Sequence, residues 1–375
     1  MAFRFIHSSD LHLGKRFGQF QGDLPAQLRE ARHAVIGRLA EHARAHGASA
    51  ILLAGDTFDT ETPAPEVRRQ ALAEMHHHAP IRWVILPGNH DSLQAAPLWA
   101  TLRTEAPDNV TLALEPTALD LAPGVTLLPA PCTTRRPGRD LTEWMDGAAT
   151  GGAAIRIGLA HGAVQRFSEE GAGLDVIAPD RARRAGLSYL ALGDWHGGVE
   201  IDARTRYSGT PEPDRFKHDR PGEALLVSLE GADALPQVTP LETGAFSWTT
   251  LTLDLLDGDD AVASLEALLP ERRLRRRALI ALVAAGRARL PVRTALAAAV
   301  GRLQPDFAHL TLDDGRLVTE CEAGDLDAID RAGALREAAN ALMAEADDSS
   351  RSAEEREIAR AALGRLYAYA QAVTS

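Results

Sequence analysis

The chain has few cysteines and no long apolar run, and each scarcity excludes a class of protein. Its two cysteines, Cys132 and Cys321, lie far apart and outside any metal-binding spacing, so we expect two reduced thiols rather than a disulfide framework. The longest apolar run, residues 278–285, is too short to span a bilayer. The apolar residues 3–6 are typical of a first strand, which argues against a signal peptide. We therefore expect a cytoplasmic protein with no membrane segment.

An excess of positive charge is also missing. Acidic residues number 52 against 40 basic ones, and the formal net charge is -12. This balance excludes a generally basic nucleic-acid coat, so any contact with DNA must be local or mediated by metal ions, and we expect it to be weak and salt-sensitive. A length of 375 residues, with 45% apolar and 25% charged residues, indicates a soluble protein of two or three domains.

Five short polar stretches are present, and each follows an apolar run that is typical of a buried strand. Side chains at the carboxyl ends of several strands converge on one rim of an α/β sheet. Aspartate and histidine at such positions are suitable donors for a divalent metal. The five stretches together predict a shared two-metal site. They are Asp10-Leu11-His12, Gly55-Asp56-Thr57-Phe58-Asp59, Gly88-Asn89-His90-Asp91, Ala160-His161-Gly162 and Gly193-Asp194-Trp195-His196.

Strands and helices alternate over the first 230 residues, which predicts an α/β fold built as a two-sheet sandwich flanked by helices. Residues 108–130 are typical of hairpin-like strands, and residues 131–152, rich in Pro, Arg and Gly, of a surface excursion. The run at residues 76–78 consists of three histidines that face different directions on a helix, so we expect a solvated helix end there. The predicted helices are 25–46, 63–78, 97–103 and 179–185; the predicted strands are 3–6, 50–54, 81–86, 155–159, 187–192 and 223–229.

The composition changes near residue 245, where a second, smaller module begins. Its periodicity predicts a β-α-β-α-β order. Between Glu271 and Arg302 it carries nine arginines and one acid, which fits either a solvated basic face or a local patch for a phosphate backbone. The predicted elements are strand 248–253, helix 259–269, strand 278–285, helix 290–303 and strand 309–312.

Two amphipathic helices are predicted at the end of the chain. The first covers residues 326–346, and the second begins at a capping box, Ser352 to Glu355. Either they pack on their own body or they hold a partner. We predict domains at 1–244 (catalytic), 245–322 (capping) and 323–375 (partner-binding). The second helix has one apolar stripe, formed by Ile358, Ala362, Leu366, Tyr369 and Val373.

The five polar stretches resemble the calcineurin-like metallophosphoesterase superfamily, whose pattern is D-x-H, G-D-x-x-D, G-N-H-D/E, a lone His and G-H-x-H. Within it they are similar to DNA repair nucleases of the Mre11/SbcD type, including shorter bacterial relatives of the YhaO kind. The resemblance covers residues 1–230, and the stretch 207–212, Tyr-Ser-Gly-Thr-Pro-Glu, favours the nuclease branch. The capping module and the terminal helices match that branch only in layout.

The resemblance implies a role for each motif residue. Asp10, His12 and His196 would hold one metal ion, Asp56 would bridge, and Asn89, His161 and Asp194 would hold the second. His90 would act as general acid or phosphate contact, and Asp91 or Asp59 would orient an imidazole, although a turn-capping Asp91 is also consistent. Tyr207, Ser208, Gly209 and Thr210 would line the nucleotide-facing side, or would simply form a turn.

Donors of this kind suit two divalent ions, first of all Mn²⁺, with Mg²⁺, Fe²⁺ or Zn²⁺ as alternatives. One position departs from the family pattern, because Asp194 stands where the family has histidine. We expect this additional carboxylate to leave an active site that favours Mn²⁺ or Mg²⁺; the alternative is a weakened or partner-dependent enzyme. Trp195, between two predicted ligands, fits packing better than base stacking.

The function that the resemblance implies is a metal-dependent DNA nuclease, acting as a 3′–5′ exonuclease, a single-strand endonuclease or both. It also implies a homodimer and a coiled-coil ATPase partner of the Rad50/SbcC kind, docked through the terminal helices. One alternative is a phosphoesterase for small substrates, which the extra module and the stretch 207–212 oppose. Another is an attenuated scaffold subunit for such an ATPase, which the full set of metal-ligand types opposes.

Overall fold

Short buried strands, many of them parallel, build the first of two units into which the chain folds, Met1–Ser247 and Trp248–Ser375. The computed structural model describes residues 2–165, 176–217, 220–320, 325, 329 and 333–374. The helices of the first unit are α1 (Leu24–His46), α2 (Pro65–His77), α3 (Ala96–Glu105) and α4 (Arg181–Arg184). Its strands are β1 (Phe3–Ser8), β2 (Ala50–Leu53), β3 (Arg82–Ile85), β4 (Val110–Leu112), β5 (Leu119–Ala122), β6 (Val125–Ala130), β7 (Ile155–His161), β8 (Ala163–Val164), β9 (Val176–Ile177), β10 (Tyr189–Gly193), β11 (Val199–Glu200), β12 (Thr205–Tyr207), β13 (Glu223–Leu229) and β14 (Gln237–Glu242).

Two six-stranded sheets form the frame of this unit, in the orders β14-β13-β1-β2-β3-β4 and β11-β12-β10-β7-β6-β5. Phe5 and Leu52 from one sheet share a buried apolar cluster with Ile157 and Tyr189 from the other, so the sheets pack face to face. Helices α1, α2 and α3 cover the outer face of the first sheet, and α4 covers that of the second. The predicted two-sheet α/β sandwich is therefore confirmed.

The parallel strands of both sheets end on one rim of the sandwich. Strands β1, β2 and β3 run parallel in the first sheet, as do β7 and β10 in the second. Buried histidines join the sheets there: His7 Nε2 lies 3.1 Å from the carbonyl of Leu192, and His161 Nδ1 lies 2.8 Å from that of Ala54. Burial lowers the pKa of His7 to about 3, so this ring bridges the sheets as a neutral imidazole.

The segment 131–152 is anchored more firmly than a surface excursion. Met145, in a 3₁₀ turn, is fully buried beneath the second sheet. The buried guanidinium of Arg181 bonds Asp140 at 2.8 Å and Asp146 at 2.6 Å. Most of the segment is exposed or half-buried, as a surface excursion requires, and the cation that anchors it lies about 40 residues further along the chain.

The three histidines at the end of α2 also differ from one another. His76 and His77 are exposed, as a solvated helix end requires, but His78 is buried. Its Nε2 lies 3.0 Å from Glu74 Oε1 and its Nδ1 lies 2.6 Å from Arg44 Nη2. The prediction is therefore wrong for His78, which turns inward at the helix end and binds the neighbouring helix α1.

The second unit has a three-stranded sheet in the order β15-β16-β17, of which the last two strands are parallel. The predicted β-α-β-α-β order is confirmed, with one additional short helix. Cys321, the predicted boundary at 322/323 and the predicted helix start at 326 lie outside the described residues. No helix in the described part of the chain is both long and apolar enough to cross a membrane. The elements are β15 (Ser247–Leu255), α5 (Ala261–Leu268), α6 (Arg272–Arg275), β16 (Ala278–Arg289), α7 (Leu290–Leu303), β17 (His309–Glu320), α8 (Ala334–Asp347) and α9 (Ala353–Thr374).

Several of the nine clustered arginines have structural contacts inside this unit. Arg275 is buried, donates to the carbonyl of Pro270 and lies over the ring of Phe307. Arg289 pairs with Asp325 at 2.9 Å, and Arg293 pairs with Asp314 at 2.8 Å. Neither a solvated basic face nor a phosphate-backbone patch therefore accounts for all nine arginines.

The capping box of α9 is confirmed, and part of its predicted apolar stripe is exposed. Glu355 N donates to Ser352 Oγ at 3.2 Å, and Ser352 N donates to Glu355 Oε2 at 2.9 Å. Two members of the predicted stripe, Ile358 and Tyr369, are 62% and 72% exposed. The face that packs on α8 and α7 contains the buried residues Ala359, Leu363 and Tyr367, and Leu366 of the predicted stripe is partly buried against them.

Candidate metal centre

Three side chains at the rim form a first group with metal-ligand geometry. One donor atom each from Asp10, His12 and His196 lies within 4.8 Å of the others, and all three residues are buried. The Nε2 atoms of the two histidines are 3.3 Å apart, and they lie 3.9 and 4.0 Å from Asp10 Oδ1. Three inward-facing donors at these separations can surround one cation.

A second group lies beside the first and shares one of its residues. Asp10, Asp56 and His161 again offer donor atoms within 4.8 Å of one another. His161 Nε2 lies 3.5 Å from Asp56 Oδ2 and 3.8 Å from Asp194 Oδ1. Asn89 Nδ2 donates to Asp194 Oδ1 at 3.0 Å. The two remaining predicted ligands, Asn89 and Asp194, therefore lie beside His161 of this group.

Asp56, a member of the second group, also lies close to the first. Its Oδ2 is 3.5 Å from His161 Nε2 and 3.8 Å from His12 Nε2. The second oxygen, Oδ1, accepts the backbone N–H of His90 at 2.9 Å, which fixes the plane of the carboxylate. A carboxylate in this position can bridge two ions.

Two of the three histidines in these groups have a hydrogen-bond partner at Nδ1, and the third has a carboxylate nearby without a hydrogen bond. His161 Nδ1 faces the carbonyl of Ala54 at 2.8 Å, His196 Nδ1 faces Asp214 Oδ1 at 3.3 Å, and His12 Nδ1 faces Asp59 Oδ1 at 3.4 Å. A proton on Nδ1 leaves the lone pair of Nε2 for a metal ion, and such acceptors fix both the tautomer and the ring orientation.

Asp214 is the functional residue that sequence reasoning missed. Its side chain is fully buried and forms ion pairs with Lys15 and, at 3.7 Å, with Arg32. Burial alone would raise the pKa of Asp214, but the bond to His196 and the two cations hold that pKa well below its usual range. The carboxylate behind His196 therefore keeps its negative charge. Asp214 lies outside the strand-end pattern, so no signal indicated it beyond its nearness to the stretch 207–212.

The backbone at the site is strained at the residues that carry the ligands. Positive φ values occur at Asp10 (55°), His12 (43°), Asp56 (53°) and Asp194 (104°), and Phe17 is the only other non-glycine residue with one in the described part of the chain. Such conformations cost roughly 1–3 kcal/mol each and occur mainly at functional sites. Here they turn the side chains off the strand ends toward a common centre.

Glycine at position 88 allows a close approach that the site needs. A Cβ atom there would lie 2.1 Å from Asp56 Oδ1 and 2.3 Å from the backbone nitrogen of Asp56. Any other residue at this position would displace the carboxylate of Asp56. The Gly88-Asn89-His90 turn can therefore lie directly against the Asp56 turn.

His90 and Asp91, both predicted to be catalytic, lie in different surroundings. His90 is half-buried, with its ring edge-on to that of His12 at 4.9 Å and its Nδ1 3.1 Å from the carbonyl of Asp59. Asp91 is fully buried, and its oxygens accept the backbone N–H groups of Gly88 at 2.7 Å and Phe58 at 3.0 Å. The contacts of Asp91 are those of a residue that joins two turns.

The predicted substrate contacts in the stretch 207–210 are buried and bind the loops around the site. Tyr207 OH donates to the carbonyl of Gly162 at 2.7 Å, and Thr210 Oγ1 donates to that of Asp10 at 2.9 Å. Ser208 Oγ lies 2.9 Å from Ser9 Oγ. Gly209, with φ 73°, completes the turn. These contacts support the backbone under Asp10 rather than presenting a surface to a substrate.

The charge distribution fits bound cations. Burial raises the pKa of Asp56 well above its usual range. Burial alone would lower the pKa of His161, but the carboxylates of Asp56, Asp10 and Asp194 raise it to about 9. Buried carboxylates gathered in this way are stabilised by positive charge.

Several buried oxygen and nitrogen atoms at the site also lack a hydrogen-bond partner. In the described part of the chain, Asp10 Oδ1, Asn89 Oδ1 and His161 Nε2 have no hydrogen-bond partner. Since nearly all buried polar groups in proteins are bonded, such atoms indicate a ligand. Oxygen and imidazole donors without cysteine suit Mn²⁺, Mg²⁺, Fe²⁺ or Zn²⁺, so these residues fit two divalent ions.

Comparison with known proteins adds named relatives. The SbcD subunit of the nuclease SbcCD from Escherichia coli K12 is 37% identical over 93 residues, which are 24% of this chain and 22% of that protein. The protein of the same name from Rhodobacter capsulatus is 28% identical over 268 residues, covering 56% of this chain and 62% of that protein. The chain thus matches less than two thirds of the length of either relative. A crystal structure from Thermus thermophilus aligns with 65% of this chain and 100% of its own, at a TM-score of 0.40 and 11% identity.

The sequence model of the calcineurin-like phosphoesterase family matches residues 3–198. This range is more than half of the 375 residues and contains every predicted metal ligand, from Asp10 to His196. The resemblance of the five motifs is thereby confirmed, and the chain belongs to the calcineurin-like phosphoesterase family.

Proposed function

We propose that the chain is a two-metal phosphodiesterase that cuts DNA. The observation that carries this proposal is the pair of buried ligand groups that share Asp10, with Asp56 of the second group close to His12 of the first. Two ions about 3.5–4 Å apart, joined by such a carboxylate, are the arrangement that enzymes use for in-line displacement at phosphorus. The two relatives named as nuclease subunits support DNA as the substrate.

In this proposal Asp10, His12 and His196 would hold the first ion, Asn89, His161 and Asp194 would hold the second, and Asp56 would serve both. When bound, the ions would polarise the phosphoryl group and lower the pKa of the attacking water. Mn²⁺ is the ion we expect first.

The chain's own residues would supply orientation and a proton. Asp214 fixes the imidazole of His196, Asp59 lies 3.4 Å from Nδ1 of His12, and Asp91 fixes the turn that carries His90. The Nδ1 proton of His90 is donated to the carbonyl of Asp59, which leaves Nε2 available. The His90 side chain is only half-buried, so Nε2 can reach a substrate. A group in that place can contact the phosphate or protonate the leaving oxygen.

The relatives also suggest an assembly. They are named as a subunit of the nuclease SbcCD, so we propose an SbcC-like ATPase as the partner of this chain. The exposed apolar side chains Ile358 and Tyr369 on α9 support docking through the terminal helices. A homodimer and 3′–5′ exonuclease or single-strand endonuclease activity complete the proposal.

The test is degradation of end-labelled single- and double-stranded DNA with Mn²⁺. It compares the native chain with His90→Ala and with His76→Ala, a matched control at an exposed position on α2. We expect the native chain and the control to cut, and the His90 variant to lose about 10²–10⁴-fold in rate, the usual contribution of general acid–base catalysis. The lengths of the labelled products give the polarity.

A generic aryl phosphodiester, assayed in parallel, separates the alternatives. Hydrolysis of this compound without cleavage of DNA would replace the nuclease with a phosphoesterase for small substrates. Inactivity on both substrates, together with the absence of Mn²⁺ binding, would refute a metal-dependent enzyme.

A further inference from the structure

We propose that Arg215 binds the substrate phosphate and competes with the first metal ion for His196. This inference rests on the proposed metal-dependent phosphodiesterase function and extends it to a residue outside the five motifs. Arg215 follows Asp214 directly and is 40% exposed, whereas the preceding residues 207–214 are all buried. It is thus the first residue of this segment to reach the open side of the site.

Two contacts place the guanidinium of Arg215 at the ligand group. Its Nη2 lies 3.2 Å from His196 Nε2, and its Nε donates to Asp214 Oδ1 at 3.1 Å. The same His196 nitrogen is 3.3 Å from His12 Nε2 and is the donor that the first ion would use. One side chain therefore contacts both the metal-binding nitrogen of His196 and the carboxylate that orients that ring.

Competition follows from the chemistry of imidazole. With the Nδ1 proton directed to Asp214, His196 Nε2 has a single lone pair. That lone pair can accept a hydrogen bond from Arg215 or bind a metal ion, but it cannot do both. Metal binding must therefore turn Nη2 away from His196, while the bond from Nε to Asp214 can stay and keep the guanidinium at the rim.

A phosphate is the ligand that such an arginine would take. The guanidinium is always charged and presents paired N–H donors that match phosphate oxygens. A cation held beside a metal ion is repelled unless an anion lies between them, and the proposed substrate supplies that anion. The chemical class of the ligand is thus a phosphate monoester or diester.

The positive charge around Arg215 is local in an acidic chain. The chain has only two lysines, and both lie at this edge. Lys15 pairs with Asp214, and Lys217 lies over the ring of Trp195 at 5.6 Å. Arg215 contacts His196, a residue of the first metal-ligand group.

The test separates metal binding from phosphate binding and needs no turnover. Calorimetry first measures Mn²⁺ binding to the native chain, to Arg215→Gln and to Arg183→Gln, a charge-matched control whose side chain is 77% exposed on α4. It then measures inorganic phosphate binding to each Mn²⁺-loaded protein. For Arg215→Gln we expect severalfold tighter Mn²⁺ binding and at least tenfold weaker phosphate binding, while the control matches the native chain.

The two readouts move in opposite directions only if the inference holds. Weaker binding of both probes would assign Arg215 a purely structural role, and unchanged binding of both would remove it from the site; either result overturns the inference. Native chain that binds Mn²⁺ and phosphate but leaves DNA intact, with the opposite shifts in Arg215→Gln, would support Arg215 and refute only the DNA substrate. Native chain that binds no Mn²⁺ would overturn the proposed function and this inference together.

Discussion

At the scale of single residues, Asp194 gives the second ligand group its chemical character. Its Oδ1 accepts from Asn89 at 3.0 Å and lies 3.8 Å from His161 Nε2, in the place where the family pattern has histidine. With Asp10 and Asp56 nearby, the group contains three carboxylates and one imidazole. Carboxylate-rich sites prefer the harder ions Mg²⁺ and Mn²⁺, whereas additional imidazole favours Zn²⁺.

Replacing this carboxylate should therefore change which ion is loaded. We expect Asp194→His to bind more Zn²⁺ and less Mn²⁺ than the native chain when each is dialysed against equal amounts of both ions. Metal content by mass spectrometry is the measurement, and Asp233→His, at an exposed position, is the control. Because Asp194 has φ 104°, a thermal melt must also show that the variant is folded. Identical metal content and an identical rate of phosphodiester hydrolysis in the variant and the native chain would contradict the expectation.

The residues that could be predicted from the sequence lie at strand ends, whereas those that could not lie on an irregular segment. Metal-ligand types at strand ends could be predicted, because each follows a short apolar run and the rim of a parallel sheet brings such ends together. Asp214 and Arg215 lie on an irregular segment after β12, where no periodicity indicates direction. Their roles depend on contacts through space, with His196 for both and with Lys15 for Asp214.

At the scale of elements, α9 illustrates why a helix can be predicted and its buried face not. The capping box and the apolar spacing fixed the helix start, and the structure has the helix at Ala353–Thr374. Two apolar stripes at helical spacing lie side by side on it, one containing Ile358 and the other Leu363. The sequence does not say which stripe meets α8, and the small residues Ala359 and Ala339, both buried, allow close contact on the second.

Truncation of one residue from each stripe tests this packing. Leu363→Ala should lower the free energy of unfolding by about 2–4 kcal/mol, because Leu363 is 4% exposed in a cluster with Leu290 and Tyr367. Ile358→Ala should change it by no more than about 0.5 kcal/mol, since that side chain is 62% exposed. Denaturant unfolding followed by circular dichroism measures both. A larger loss from Ile358→Ala than from Leu363→Ala would mean that the helix buries the other stripe.

At the scale of the whole molecule, charge couples stability to the metal site. The chain carries a formal charge of -12, and the rim of the first unit gathers buried carboxylates from Asp10 and Asp56, with Asp194 beside them. Burial raises the pKa of Asp56 well above its usual range, so its ionised form is unfavourable unless a cation lies nearby. Cations that bind the folded chain and not the unfolded one must then stabilise the fold.

Addition of Mn²⁺ should therefore raise the melting temperature, and a chelator should lower it. At a free concentration 100 times the dissociation constant, the gain is about 2.7 kcal/mol for one site. Asp56→Asn is the informative variant, because it keeps an oxygen for the N–H of His90 and removes a buried charge. We expect it to melt at or above the native temperature in chelator and to lose most of the rise with Mn²⁺. Calorimetric scans of both proteins with and without Mn²⁺ measure these melting temperatures. A variant that melts at a lower temperature in chelator, yet shows the full rise with Mn²⁺, would show that Asp56 stabilises the fold and does not bind the ions.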